Sequence, residues 1–284
     1  MRYRVVAACV LMMSGWGGCA TLANRKTVNV TVVGSLHRFH LDPIYGFSLN
    51  DLQSTVKALQ PQLLCLEVDP QDEDTNRVGL YPPETVVLKH LARELFISSA
   101  AVDWRADFKT YKELSPLVKA SVDQQQKELM DRATKSVAGK YDFFISTPAK
   151  QLIQKIHDTI LKKDGEAADG FWITRNSRIA ERCMTEARKI QASNVVFVFG
   201  VDHQYILEDT LSKFPDVKVN ESSIRHGDPT WVVAQEIVDE WKNRLSALKE
   251  LQNSSADPML QKRVEQSGRI KELELFIRSA AFAL

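Results

Sequence analysis

Two runs of this chain, VNVTVV at residues 28–33 and VVFVF at residues 195–199, are short, almost continuously apolar and rich in β-branched residues. Such runs suit strands buried on both faces, which occur where helices cover both sides of a parallel sheet. Between them the pattern alternates. A helix begins near Ser48, with Ser48 and Asp51 spaced as a capping box and Leu52, Val56 and Leu59 on one face; Pro61 ends it, and LLCLEVD from Leu63 supplies another strand. This β-α-β unit predicts parallel strands joined by a right-handed crossover. A second unit follows, with Pro82 and Pro83 introducing the helix TVVLKHLARE, apolar at Val86, Val87, Leu88 and Leu91, and LFISSAAVDW returning as a strand.

Residues 106–170 read as a helical insertion, polar in KASVDQQQKELMDRATK and amphipathic in TPAKQLIQKIHDTIL. From Asn176 the helix NSRIAERCMTEARKI, burying Ile179, Cys183, Ala187 and Ile190, leads to the VVFVF strand, and VKVNES supplies the last strand. Residues 226–284 form a C-terminal helical extension with Trp231, Val233, Ile237, Trp241 and Leu245 on one face, divided into two helices by NSSADP. The fold class expected is α/β, with a mostly parallel sheet, a helical insertion and C-terminal helices. At 284 residues and 44% hydrophobic content, such a domain can bury a sizeable core.

In a parallel α/β sheet the carboxyl ends of strands and the amino ends of crossover helices share one edge, where ligands bind. The VNVTVV strand ends in Gly34-Ser35-Leu36-His37 and the VVFVF strand in Gly200-Val201-Asp202-His203. Each glycine is expected to let the chain turn away from its strand, placing two imidazoles over one crevice. Glu67 and Asp103 follow strands at the same edge, and Thr174, Arg175 and Asn176 mark a helix start there. Two imidazoles with one or two carboxylates suit zinc, manganese or cobalt, and His37, Glu67 and His203 are the expected ligands. Glu67 or Asp103 would take a water proton, and Arg175 would hold an anionic substrate group or balance the two carboxylates. His40 is a further ligand or a loop residue packed under Tyr45 or Phe47. Asp202 orients His203 or faces solvent. His90, His157 and His226 are expected to be structural, the first two on helices away from the crevice, and Arg178 and Arg182 extend a positive face or a salt-bridged one.

GSLH, LLCLEVD, ITRNSRIAERCM and FGVDH, in that order, resemble the TraB, PrgY, GumN and Tiki superfamily, which is related more distantly to the erythromycin esterases and the haem protein ChaN. The resemblance spans about two thirds of the chain. YPPE and VDW resemble a bacterial branch of that superfamily. It implies an α/β domain over residues 27–225 with two related halves, and a pocket built from both Gly-x-x-His turns with His37, Glu67, Arg175, Asn176 and His203 in it. Some members are metal-dependent peptidases and others metal-independent esterases. The expectation is a metal-assisted hydrolase of peptides or esters, a metal-free mechanism remaining open. The alternative is an envelope protein that sequesters a peptide, a small signal or haem without turnover.

MRYRVVAACVLMMSGWGGCATLAN has the basic start, short apolar stretch and small-residue exit of an export signal, placing the mature protein in the periplasm or on a membrane. Gly17-Gly18-Cys19-Ala20 resembles the end of a lipoprotein signal at residues 1–19 with Cys19 lipidated; Trp16 departs from that pattern, and ordinary cleavage near Ala20 competes. Cys65 and Cys183 are expected to be two buried small hydrophobes rather than a bridge. A net charge of +1 with no basic stripe argues against nucleic acid as a partner.

Overall fold

A computed structural model describes residues 27–137, 139–228 and 230–282. Five strands, β1 (Val28–Ser35), β2 (Leu63–Leu66), β3 (Ser98–Ala101), β4 (Asn194–Gly200) and β5 (Val217–Asn220), form one sheet in the order β3-β2-β4-β1-β5. Every pairing is parallel, so the α/β class read from the continuous apolar runs is the observed one. Alternation along the strands divides the core between the two faces. Val33, Leu64, Leu66, Val196 and Val198 face helices α1 (Leu49–Ala58) and α2 (Glu84–Glu94). Val30, Val32, Cys65, Val195 and Phe197 face α6 (Trp172–Lys189) and α7 (Gln204–Ser212). The helix after β1 and the helix after β4 therefore cover opposite faces of adjacent strands, and a crevice opens at such a switch point.

Ser48 and Asp51 form the capping box at the start of α1. Between β3 and α6 lie α3 (Pro116–Thr134), α4 (Lys140–Phe144) and α5 (Thr147–Asp164), helical as expected for this stretch. They pack on the α1 side through Leu129, Phe144 and Ile153, and the Tyr141 hydroxyl donates to the Gly34 carbonyl at 2.9 Å. The C-terminal extension consists of three helices, not two: α8 (Gln235–Ser254), α9 (Pro258–Ser267) and α10 (Arg269–Phe282). Gly268, at φ +67°, adds the second break. Trp241 is fully buried against Val86, Val87 and Phe276, and its indole N–H donates to the Pro83 carbonyl at 2.9 Å.

Two further expectations are corrected. Cys65 in β2 and Cys183 in α6 form a disulfide, because the packing of α6 on the sheet brings their Cα atoms to 6.1 Å. Ile190 is exposed, since α6 begins four residues earlier than expected and ends at Lys189, leaving Ile190 beyond its last turn. No helix among the described residues is long and apolar enough to cross a membrane. The export segment and Cys19 lie outside the described residues.

Candidate active site at the strand-end crevice

The two Gly-x-x-His turns meet because β1 and β4 are neighbours in register, Gly34 beside Phe199 and Ser35 beside Gly200. Their glycines serve a purpose other than the turning expected of them. Neither has a positive φ; the left-handed residue is His37 itself, at φ +51°. A Cβ on Gly200 would sit 2.7 Å from His37 Nε2, and one on Gly34 would sit 3.1 Å from the Val201 side chain. Each glycine thus makes room for the opposite motif. The left-handed conformation, costly for a residue with a Cβ, is held at His37 by side-chain contacts.

The strongest of these contacts is to Glu84, at the first turn of α2. His37 Nδ1 lies 2.6 Å from Glu84 Oε1, and the same oxygen accepts a hydrogen bond from the Ser35 hydroxyl. Glu84 is 2% exposed and its Oε2 has no partner, so His37 provides most of the compensation for its charge. Burial works against ionisation of Glu84, but the imidazole and the Ser35 hydroxyl hold its pKa down to about 2. For His37, burial also opposes the charged form, yet the carboxylates of Glu84 and Glu67 outweigh it and raise the pKa above the ordinary 6.5.

His37 Nε2 points the other way, 3.9 Å from Glu67 Oε2. That oxygen accepts the Gly200 N–H at 2.9 Å, while Glu67 Oε1 lies 3.3 Å from Arg175 Nη2. Despite burial, His37, His203 and Arg175 hold Glu67 down to about 2, so it is ionised and a weak base. Asp103 is more constrained. Wholly buried, it receives two bonds from Arg175, each 2.8 Å long, with Arg105 Nε 3.2 Å from Oδ2 and the Trp104 N–H on Oδ1. Burial opposes its charge, but Arg175 and Arg105 depress its pKa far below the usual carboxylate range. Of the two tasks expected of Arg175, the one visible here is to balance both carboxylates.

His203 is the opposite case to His37. It is 4% exposed, its Nδ1 donates to Asn176 Oδ1 at 2.6 Å, and the Asn176 amide donates to the Trp172 carbonyl at 2.8 Å. Burial and then the Arg175 charge lower its pKa to about 3, so at neutral pH it is an uncharged imidazole whose Nε2 carries the lone pair. Asn176 sits inside α6, where it fixes the His203 tautomer. His40 is a structural residue: Nδ1 donates to the Phe47 carbonyl at 2.9 Å, and Nε2 accepts the Leu36 N–H at 3.1 Å.

The fixed Nδ1 atoms of both imidazoles, each held by a neighbouring oxygen so that Nε2 keeps the lone pair, match the way ligating histidines are oriented by their neighbours. The third expected ligand does not match. Glu67 gives both oxygens to Arg175 and Gly200, and no group of three His, Cys, Asp or Glu side chains among the described residues is arranged to hold a metal ion. As built, the residues do not form a three-donor cation site.

His37 opens on a cleft of about 670 Å³ lined by Ser35, Phe39, Gly200, Asp202 and Arg269 among others. Arg175 lines a second cavity of about 330 Å³, and Ser267, at the end of α9, borders both. The sequence reading missed Glu84 and the link from His157 to the crevice. His157 stacks flat on Trp172 at 4.0 Å, and Trp172 lies 4.2 Å from the His203 ring, so His157 is two rings from the crevice. The Glu84 signal was present, since a crossover helix starts at the strand-end edge and Glu84 is the first residue of one. No protein-family model, no curated protein and no solved structure matches this chain.

Proposed function

We propose that this protein is an exported hydrolase that cleaves an ester or amide in the strand-end crevice, with His37 as general base. The observation that carries this reading is the 2.6 Å pair between His37 Nδ1 and buried Glu84, which leaves Nε2 free to face the cleft. With the proton on Nδ1, Nε2 can accept one from water. A water 2.7–3.0 Å from both Nε2 and Glu67 Oε2 fits across their 3.9 Å gap, with the ionised carboxylate orienting it. As the water oxygen attacks the acyl carbon, its proton passes to His37 Nε2. The imidazolium, stabilised by Glu84, returns that proton to the departing oxygen or nitrogen as the acyl bond breaks. Two imidazoles with pKa values pushed in opposite directions divide the work, His37 moving the proton and neutral His203 accepting a hydrogen bond.

The resemblance to the TraB and Tiki superfamily, which holds metal-dependent peptidases and metal-free esterases, supports hydrolysis and leaves the metal as the question to test. A cation held by His37, His203 and Glu67 would require Glu67 to leave Arg175. Protein purified without a histidine tag should hydrolyse members of an ester and peptide library equally well before and after exhaustive chelation, and His37→Ala should abolish turnover. Activity that vanishes on chelation and returns with zinc, manganese or cobalt would establish the metal-assisted mechanism instead. Stoichiometric binding without product would establish a sequestering protein.

Export is supported by the amino-terminal segment and by the Cys65–Cys183 disulfide, since such bonds persist in oxidising compartments. Cys19→Ser should abolish lipid labelling and release the protein from membranes. Unchanged membrane association would refute the lipoprotein anchor.

A further inference from the structure

The 330 Å³ cavity beyond Arg175 has a charge pattern that the hydrolytic reading does not use. Arg105, Arg175 and Arg263 line it, between the aromatic walls of Tyr111 and Trp172. Arg175 is fully engaged by Asp103 and Glu67, and Arg105 is paired to Asp103 and laid over the Tyr81 ring. Arg263, on α9, differs from both: among the described residues no hydrogen bond or ion pair engages its guanidinium. A guanidinium that no carboxylate neutralises keeps its charge available to an incoming anion.

We infer that this cavity is the subsite for an anionic group, a carboxylate or phosphate, on the substrate hydrolysed at His37, with Arg263 as its principal contact. The inference rests on the hydrolytic reading for the word substrate, but not for the anion site. Guanidinium groups suit both anions because their planar fork meets two oxygens at once. One acidic residue lines the cavity itself, Asp169. Its Oδ1 is held by His157 at 2.8 Å, which keeps that oxygen turned to the imidazole. Arg105 and Arg263 also border a cavity of about 380 Å³, but Asp69, Asp72, Asp107 and Asp257 line that one and disfavour an anion there. Ser267 borders both the His37 cleft and the arginine cavity, so the two meet at the α9–α10 turn, where a substrate with its acyl group at His37 would bring its anion toward Arg263.

The test uses the whole protein and two probes, inorganic phosphate and N-acetylglycine, titrated calorimetrically at low and moderate salt. Wild type should bind at least one of them, and which one binds separates a phosphorylated from a carboxylated substrate. Arg263→Gln should weaken that binding at least tenfold and Arg263→Lys less, while Glu265→Gln, on the exposed side of the same helix, should leave it unchanged. Thermal melting within a few degrees of wild type establishes that the variants are folded. His37→Ala should bind the probe as wild type does, so a failure of hydrolysis and a failure of the anion site appear in different measurements. Equal affinity of wild type and Arg263→Gln, or no binding of either probe to wild type, would overturn the subsite.

Discussion

Removing the Cys65–Cys183 bond should destabilise the protein by an amount the chain topology sets. The bond joins residues 118 apart, and the loop it closes contains α2, β3 and the entire helical insertion. Closing a loop of that length in the unfolded chain lowers its entropy enough to stabilise the native state by about 5 kcal/mol in the chain-entropy account. Little native-state loss should be added. Both sulfurs lie in the fully buried cluster of Val30, Val32, Ile179 and Phe197, where reduced thiols or alanines remain acceptable apolar groups. A domain of this size moves by about 2–4 °C per kcal/mol, so the melting temperature should fall by roughly 10–20 °C. The assay is urea unfolding of wild type with and without reductant, beside the Cys65→Ala/Cys183→Ala double variant. The midpoint should fall in both cases and the slope should rise, because the uncrosslinked chain exposes more surface when it unfolds. A difference below about 1 kcal/mol, or thiol labelling at Cys65 and Cys183 when freshly purified protein is unfolded without reductant, would refute the reasoning.

Two further predictions concern the crevice. His37→Ala and His203→Ala should each remove most activity, and the double variant should lose little more than either, because groups serving one reacting centre act as a unit; additive losses in kcat/KM would separate their roles. Gly200→Ala should lower kcat at least tenfold while leaving the melting temperature nearly unchanged, since its backbone at φ −48° accepts alanine and only the His37 ring, 2.7 Å from the new methyl, must swing away; full activity would show that His37 is not held where the chemistry needs it.

The parts of this molecule that were legible in the sequence are those that continuous apolar runs dictate. β1, β2 and β4 are central strands buried on both faces, so Val30, Val32, Leu64 and Val196 leave no ambiguity, and locating the strands located their carboxyl ends. His37, Glu67, Asp103, Arg175 and His203 follow from that edge alone. What each does was not legible, because it depends on distances between elements far apart in sequence. Glu67 read as a metal ligand or a base for water, whereas Arg175, 108 residues away, and the Gly200 N–H occupy both its oxygens and keep it ionised. Glu84 was not singled out at all, although the α2 start aims it at His37. His157 is half-buried, one of the two alternatives its helix offered, but nothing in α5 announces that Trp172 stacks on it.

The central claim is that Glu84 makes His37 the base, and the pH dependence of kcat/KM for wild type and Glu84→Gln tests it most directly. His37 must be neutral to accept a proton, and its pKa lies above 6.5, so wild-type activity should rise with pH along an acid limb above that value. Glutamine keeps a carbonyl oxygen for Nδ1–H and for Ser35 but removes the charge that favours the imidazolium, so the limb should move to lower pH by about one unit or more. The plateau should fall with it, because the imidazolium formed in the reaction is less stabilised. An acid limb that stays in place in folded Glu84→Gln protein, with the plateau unchanged, would contradict the account.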